Sequence, residues 1–171
     1  LLAVAPNASS SIICGGTSPS IEPYRANVYT HKTLSGSFQV KNKYLEELLQ
    51  DKGLKKDELT ALWKDIAGNE GSVQHLDILT DDEKEIFKTA NEIDQIWIIE
   101  HAAKRQEYIC QAQSVNLFFT IPTATEPQEV HDEYMQYVND VHWYGMNKLK
   151  SLYYFRTNAA RNAENVNLKV Q

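Results

Sequence analysis

The first thirteen residues, LLAVAPNASSSII, constrain the fold more than any other stretch of the chain. Leu1 to Ala5 is an uninterrupted apolar run, the pattern of a strand buried on both faces in the parallel sheet of an α/β protein rather than of a half-wetted antiparallel strand. Pro6 ends that strand. The small residues Asn7-Ala8-Ser9-Ser10-Ser11 follow, and the apolar pair Ile12-Ile13 then opens a helix. With Ser9 or Ser10 as its cap, such a helix presents backbone N–H groups without partners, backed by the positive end of its dipole. That is an anion site, and a phosphate fits it. The same residues also read as a serine-capped strand-to-helix turn that holds no ligand.

A chain of 171 residues suffices for one domain with a sizeable core. It begins on a buried-looking strand, with no initiator methionine and no polar lead-in, as expected of a piece of something larger. A net charge of −6 and a pI near 5.4 argue against non-specific nucleic-acid binding. The charge is uneven: residues 1–43 carry four basic side chains and one acidic, residues 44–100 fifteen acidic and six basic. The anion loop therefore sits in the positive part, and the acidic stretch reads as solvated surface. No apolar run approaches the ~18 residues needed to span a membrane, and no signal peptide is visible. Cys14 and Cys110 read as reduced thiols of a cytoplasmic protein, Cys14 packing as a small apolar residue. The five histidines show neither HxxxH nor HxH spacing, so no metal site is predicted. Ser9-Ser10-Ser11 lacks the glycines of a G-x-S-x-G nucleophile elbow.

Along the chain, Gly15-Gly16-Thr17-Ser18-Pro19 breaks the first helix. Alternation around Val28, Phe38 and Val40, with Ser35-Gly36 between, predicts a loose hairpin. Asn42 caps a helix over 43–50 that ends at Gly53, and a second helix over 56–67 presents Leu59, Leu62, Trp63 and Ile66 before Gly68. Residues 71–79 read as a loop. Thr80-Asp81-Asp82-Glu83 is a capping box, after which Ile86, Ala90, Ile93 and Trp97 recur at helical spacing, predicting one long helix over about 80–110. Gln111 to Ser114 is a polar interruption, and 115–121 reads as a second buried strand. Thr125, with Gln128 three residues on, opens a helix to about Lys150 whose apolar face is Val130, Tyr134, Tyr137, Val138 and Val141. The segment 151–156, SLYYFR, is β-rich and predicts a third strand. Strands joined by crossovers longer than a dozen residues imply parallel pairing, hence an α/β sheet or part of a barrel.

Three segments, taken together, resemble the large (α) subunit of class I ribonucleotide reductases. APNASSSIICGGTSPSIEPYRANVYTHKTLSGSFQVKN resembles its phosphate-loop region, DEKEIFKTANEIDQIWIIEHAAKRQEYICQAQSVNLFF its long helix and following barrel strand, and LKSLYYFRTNAA the segment with its paired tyrosines. The resemblance covers nearly the whole chain in the family's order. It implies that residues 1–171 are the C-terminal part of a ten-stranded α/β barrel, with a phosphate loop at 5–13 and a Tyr-Tyr strand at about 151–156. Family enzymes reduce ribonucleoside diphosphates to deoxyribonucleoside diphosphates by radical chemistry. Carried onto matching positions, Pro6, Asn7, Ala8, Ser9 and Ser10 are implied to hold the substrate diphosphate. Tyr154 and then Tyr153 are implied to pass an oxidising equivalent from a radical-generating small (β) subunit toward an active-site cysteine.

The family's radical cysteine, its reducing cysteines and their neighbouring asparagine and glutamate have no counterpart here, since Cys14 and Cys110 fall outside the matching motifs. The resemblance thus implies that a second polypeptide, the N-terminal part of the α subunit, completes the site. The metal or radical cofactor is expected in the β subunit and none in this chain. Thioredoxin or glutaredoxin is the implied reductant, and neither nucleic acid nor membrane is an expected partner. A naturally split subunit, or a proteolytic or engineered fragment, accounts for such a chain. A different reading is a non-catalytic α/β interaction module derived from a reductase. The helix over about 129–150, with Tyr134, Tyr137, Trp143 and Tyr144, carries more aromatic side chains than one buried face needs and is the better partner-binding candidate. Trp97 lies in a helical apolar stripe and reads as core.

Overall fold

In chain order the elements of the computed structural model are α1 (Ala8–Ile13), β1 (Val28–Thr33), β2 (Gly36–Lys41), α2 (Lys43–Asp51), α3 (Lys56–Gly68), α4 (Asp81–Ile86), α5 (Gln95–Gln106), β3 (Leu117–Thr120), α6 (Gln128–Lys148) and β4 (Phe155–Asn158). Residues 1–15, 18–33 and 36–158 are described. Gly16 and Thr17 of the predicted helix breaker, Ser35 of the hairpin turn and the tail over 166–171 lie outside them. The chain divides into two units, Pro23–Ile93 and, separately, Leu1–Glu22 with the chain from Asp94 onward.

In the unit Pro23–Ile93, β1 and β2 form the predicted antiparallel hairpin, with Val28 opposite Lys41 and Thr33 opposite Gly36. Asn42 starts α2 as expected, its side chain accepting from Tyr44 N at 3.1 Å. Leu45 and Leu49 of α2, Trp63 and Ile66 of α3, and Val28 form the core with Val73, Leu76, Leu79 and Phe87. Residues 71–79 form a loop, yet three of its side chains are fully committed to that core. The loop is held by Asn27, which is buried. Asn27 donates from Nδ2 to Gly71 O (3.0 Å) and Phe87 O (2.8 Å), and its Oδ1 accepts from Asn42 Nδ2 (2.9 Å). A buried carboxamide with every hydrogen-bonding group engaged fixes one arrangement of the segments around it. At the start of α4, Thr80 and Glu83 make the predicted capping box. Lys52 donates to Glu83 at 2.8 Å and, with the Thr80 N–H, holds that carboxyl below the usual glutamate range.

One long helix over 80–110 is not formed. The helix stops at Ile86, and a new one starts at Gln95. Glu92 accepts from Thr89 N (2.8 Å) and Thr89 Oγ1 (2.9 Å), while Asp94 accepts from Ile96 N (3.0 Å). Short-range side-chain acceptors compete with the helical ladder and reset it. The apolar stripe is broken with it: Ile86 is 75% and Trp97 61% exposed, whereas α5 buries Gln95, Ile98, Ile99 and Ala102. Trp97 is therefore not core among the described residues.

In the other unit, the run from Gln113 to Phe119 is buried and forms the centre of a parallel array. On one side β3 pairs with β4, Leu117 opposite Phe155. On the other, Val4 bridges Gln113 in parallel, with Gln111 N donating to Leu2 O (3.0 Å) and Ser114 N to Val4 O (2.8 Å). The expected first strand is thus reduced to a single bridge, and Leu1 is fully and Leu2 largely exposed. A strand buried on both faces needs a neighbour on each edge and a layer on each side, and Leu1 to Ala5 finds one neighbour among the described residues. Helix α6 covers β3 through Phe119, which stacks on Phe155 (5.4 Å between ring centres) and meets Tyr134 and Tyr137 edge-on. Thr125 does not cap α6. Its hydroxyl pairs with Thr123, Pro127 takes the cap position, and the proline's fixed φ serves a helix start without a side-chain bond. Gln95 Oε1 accepts from Phe118 N (2.8 Å), and Gln95 N donates to the Tyr137 hydroxyl, which donates to Asp94. Desolvation pushes the Tyr137 phenol up to about 12.

The described strands make two two-stranded sheets and no closed barrel. Cys14 and Cys110 are both free and exposed, so Cys14 is not packed as an apolar residue. Cys14 follows the last residue of α1, Ile13, which is exposed as well. Among the described residues no helix is long and apolar enough to cross a membrane.

Candidate functional site

Pro6 turns the chain away from its bridge to Gln113, and Asn7 N donates back to Ala5 O at 2.9 Å. Helix α1 then begins at Ala8 with Asn7, not Ser9 or Ser10, in the cap position. Serines inside the first turn cannot cap the helix they belong to. The Asn7 side chain does not cap it either: its Oδ1 accepts from Ser20 N at 2.9 Å, and Ser20 Oγ donates to Ala5 O at 3.3 Å. The start of α1 is therefore left without a side-chain cap, and Ser9 and Ser10 are exposed beside it. Ser20 and Ile21 hold φ of 56° and 59°. Left-handed backbone at a β-branched residue is rare, and this strained pair turns the chain so that Glu22 enters the interior.

The tyrosine pair lies on the opposite flank of the same central run. The strand predicted over 151–156 starts only at Phe155, because the ladder is offset just before it. Leu117 N donates to Tyr154 O (2.9 Å), so regular parallel pairing would send Tyr154 N to Val115 O. That carbonyl instead accepts from Tyr153 N at 2.9 Å. Tyr154 N donates to the side chain of Asn116, Oδ1 at 3.2 Å. One extra residue is thus accommodated, which is a β-bulge. Consecutive side chains of a regular strand point to opposite faces, and the bulge removes that alternation. The two rings accordingly lie 4.0 Å apart at 45°, each about half exposed. The neighbouring Tyr154 hydroxyl keeps Tyr153 protonated to higher pH than a free phenol. Arg156 lies over the Tyr154 ring at 5.3 Å.

Register relates the two features. Val4 bridges Gln113 on one flank of the central run, and Val115, two residues further on, receives Tyr153 N on the other. The segment that leads into the loop at Asn7–Ser10 and the pair Tyr153–Tyr154 thus flank the same run.

Two residues were not singled out by sequence. Glu22 is 8% and Asn116 5% exposed. The Glu22 carboxylate accepts from Asn116 N (2.9 Å) and from Asn116 Nδ2 through both oxygens (2.8 and 3.0 Å). The available signal was Asn116 itself, a carboxamide inside the apolar run VNLFF, where a polar side chain must have a partner. Among the described residues no three histidine, cysteine or acidic side chains converge as metal ligands.

Helices and strands in both units, with a parallel array, an uncapped helix start and a bulged phenol pair in one of them, define a mixed α/β chain. The family model for the ribonucleotide reductase barrel domain matches residues 1–155, and the chain belongs to that family. It is 45% identical over 167 residues to the ribonucleoside-diphosphate reductase large subunit of Invertebrate iridescent virus 6, covering 96% of this chain and 16% of that protein. The corresponding subunit of Caenorhabditis elegans is 38% identical over 165 residues, covering 95% of this chain and 19% of that protein. Among solved structures, the Actinobacillus ureae class Id ribonucleotide reductase alpha subunit superposes with a TM-score of 0.66 at 42% identity, covering 91% of this chain and 26% of that one. The chain thus spans about a sixth to a quarter of the relatives it matches.

Proposed function

We propose that this chain supplies the substrate-diphosphate loop and the radical-transfer tyrosines of a ribonucleoside-diphosphate reductase, the barrel's cysteines being carried by another polypeptide. The tyrosine pair carries this reading. Phenol rings 4.0 Å apart and open to a further partner on their exposed side suit transfer of an electron together with a proton. When the Tyr154 phenoxyl forms, Tyr153 gives up its hydroxyl hydrogen atom to it, so Tyr154 is restored and the radical moves to Tyr153. Tyr153 in turn takes a hydrogen atom from a cysteine thiol on the complementary polypeptide, leaving the thiyl radical that starts substrate reduction. The oxidising equivalent enters from a β subunit, whose metal or radical cofactor generates it, and thioredoxin or glutaredoxin restores the reducing thiols.

The loop supports the substrate half of the proposal. Asn7 is diverted to Ser20, so the first peptide N–H groups of α1, with the hydroxyls of Ser9 and Ser10, are left for an anionic group. The test is reconstitution: reductase activity is expected only when this chain is combined with a polypeptide bearing the cysteines and with a β subunit. Tyr153→Phe, which removes one hydroxyl from an exposed ring, is expected to abolish turnover while leaving the chain folded. Full turnover by that variant refutes the relay, and a chain that ignores every such polypeptide is a non-catalytic interaction module instead.

A further inference from the structure

We propose that Glu22 and Asn116 are positioning residues for the tyrosine pair, a buried two-residue lock that holds open the bulge on which the close approach of the Tyr153 and Tyr154 rings depends. The proposal rests on the relay reading above and adds to it the groups that set the relay's geometry. Without the bulge, Tyr154 N would return to Val115 O, the two side chains would regain strand alternation, and the rings would part to opposite faces. What prevents this is the Asn116 carboxamide, whose Oδ1 takes Tyr154 N at 3.2 Å. That N–H requires an acceptor, so Oδ1 must face it, and Nδ2, a donor, then requires an acceptor of its own. Glu22 supplies it. Both carboxylate oxygens accept from Asn116 Nδ2, and Oε1 also takes Asn116 N. The amide end of the side chain is thereby fixed toward Glu22 and the carbonyl end toward Tyr154. Both residues are more than nine-tenths buried, so water does not compete for these bonds. Neither touches a phenol, and their effect passes through the Tyr154 backbone.

The lock can be broken and rebuilt by exchanging donor and acceptor. Asn116→Asp places a carboxylate against the Glu22 carboxylate, two like charges at hydrogen-bond distance. Combining it with Glu22→Gln restores one donor facing one acceptor with nearly the same atoms. In the assembled enzyme the single variant is expected to lower kcat about tenfold or more, with KM for the ribonucleoside diphosphate kept within about twofold. The double variant is expected to recover most of the loss. A variant that raises KM and spares kcat overturns the proposal, because it places the lock in substrate binding. A second readout needs no turnover: 3-fluorotyrosine at position 153 of the full chain, followed by fluorine NMR. Its resonance is expected to shift in Asn116→Asp and to return in the double variant, and an unmoved resonance in the folded single variant overturns the proposal. Should the single variant fail to fold, amide exchange of the unmodified chain decides. The Tyr154 N–H is expected to be protected by about a hundredfold or more although its ring is exposed, and free exchange there overturns the lock. The two failures are separable: active Tyr153→Phe removes the relay, whereas the fluorine and exchange results judge the lock alone.

Discussion

Gly53 and Gly71 form a matched pair in which backbone strain and steric crowding can be measured apart. Both sit in left-handed backbone, at φ of +81° and +84°, so alanine at either costs about 1 kcal/mol for conformation alone. Their surroundings differ. A Cβ on Gly53 meets nothing within 4 Å, whereas one on Gly71 would lie 2.4 Å from Ala26 Cβ, 2.8 Å from Ala26 Cα and 3.0 Å from Asn27 N. Carbon atoms pack best at about 3.5–4.0 Å, so the two backbones must part by roughly 1 Å. Overpacking of that kind costs about 1–3 kcal/mol. It also loosens the bonds from Asn27 N and Nδ2 to Gly71 O, each worth about 0.5–1.5 kcal/mol net. Glycine's lost entropy in the unfolded chain returns about 0.4–1 kcal/mol to both variants. Gly53→Ala is therefore expected to destabilise by less than about 1 kcal/mol, and Gly71→Ala by about 3–4 kcal/mol. Urea unfolding of both variants of the full chain, with unchanged slope, measures the difference. Equal midpoints for the two variants would refute the argument that Asn27 and Gly71 pin the loop to the core.

Replacing Ser9 and Ser10 together by alanine is expected to weaken binding of a ribonucleoside diphosphate to the assembled enzyme by about 1–3 kcal/mol, the worth of charge-assisted hydrogen bonds. Calorimetry reads this directly, and unaltered affinity would remove the hydroxyls from the anion site. Tyr137 gives a pH prediction of definite sign. Its folded pKa is raised to about 12, mainly by desolvation, so its stabilising effect is complete below pH 10 and is lost as pH rises toward 12. Tyr137→Phe is expected to flatten that alkaline loss in a thermal-melt series, and an unchanged alkaline slope would show that another group governs it.

Signals confined to a few consecutive residues were legible in the sequence. Asn42 starts α2, Thr80 and Glu83 form their box, the β1–β2 hairpin pairs where alternation indicated, and the apolar run before Pro122 yields β3. The misread features depend on side chains capturing backbone groups. Periodicity runs straight through 86–97, but Glu92 and Asp94 take the N–H groups that a continuous helix would have used. Composition predicts a buried first strand, yet burial is a property of neighbours, and Leu1 to Ala5 finds one among the described residues, which leaves Leu1 and Leu2 exposed. At the site, the strand-to-helix turn and the adjacent tyrosines were visible as patterns. Their geometry was not: the cap passed from the serines to Asn7, whose side chain serves Ser20. The bulge rests on Asn116, 38 positions before Tyr154, and on Glu22, 94 positions before Asn116, separations that no local window spans.

The β3–β4 ladder has a practical consequence. Among the described residues β4 is hydrogen-bonded to β3 alone, and its outer row of N–H and C=O groups, Phe155 to Asn158, meets no further strand. An unfinished ladder of this kind recruits whatever extended segment comes near, a second molecule included. Purification of the chain by itself at high concentration therefore favours clumping, and co-expression with a polypeptide able to zip onto that border is the route to well-behaved material.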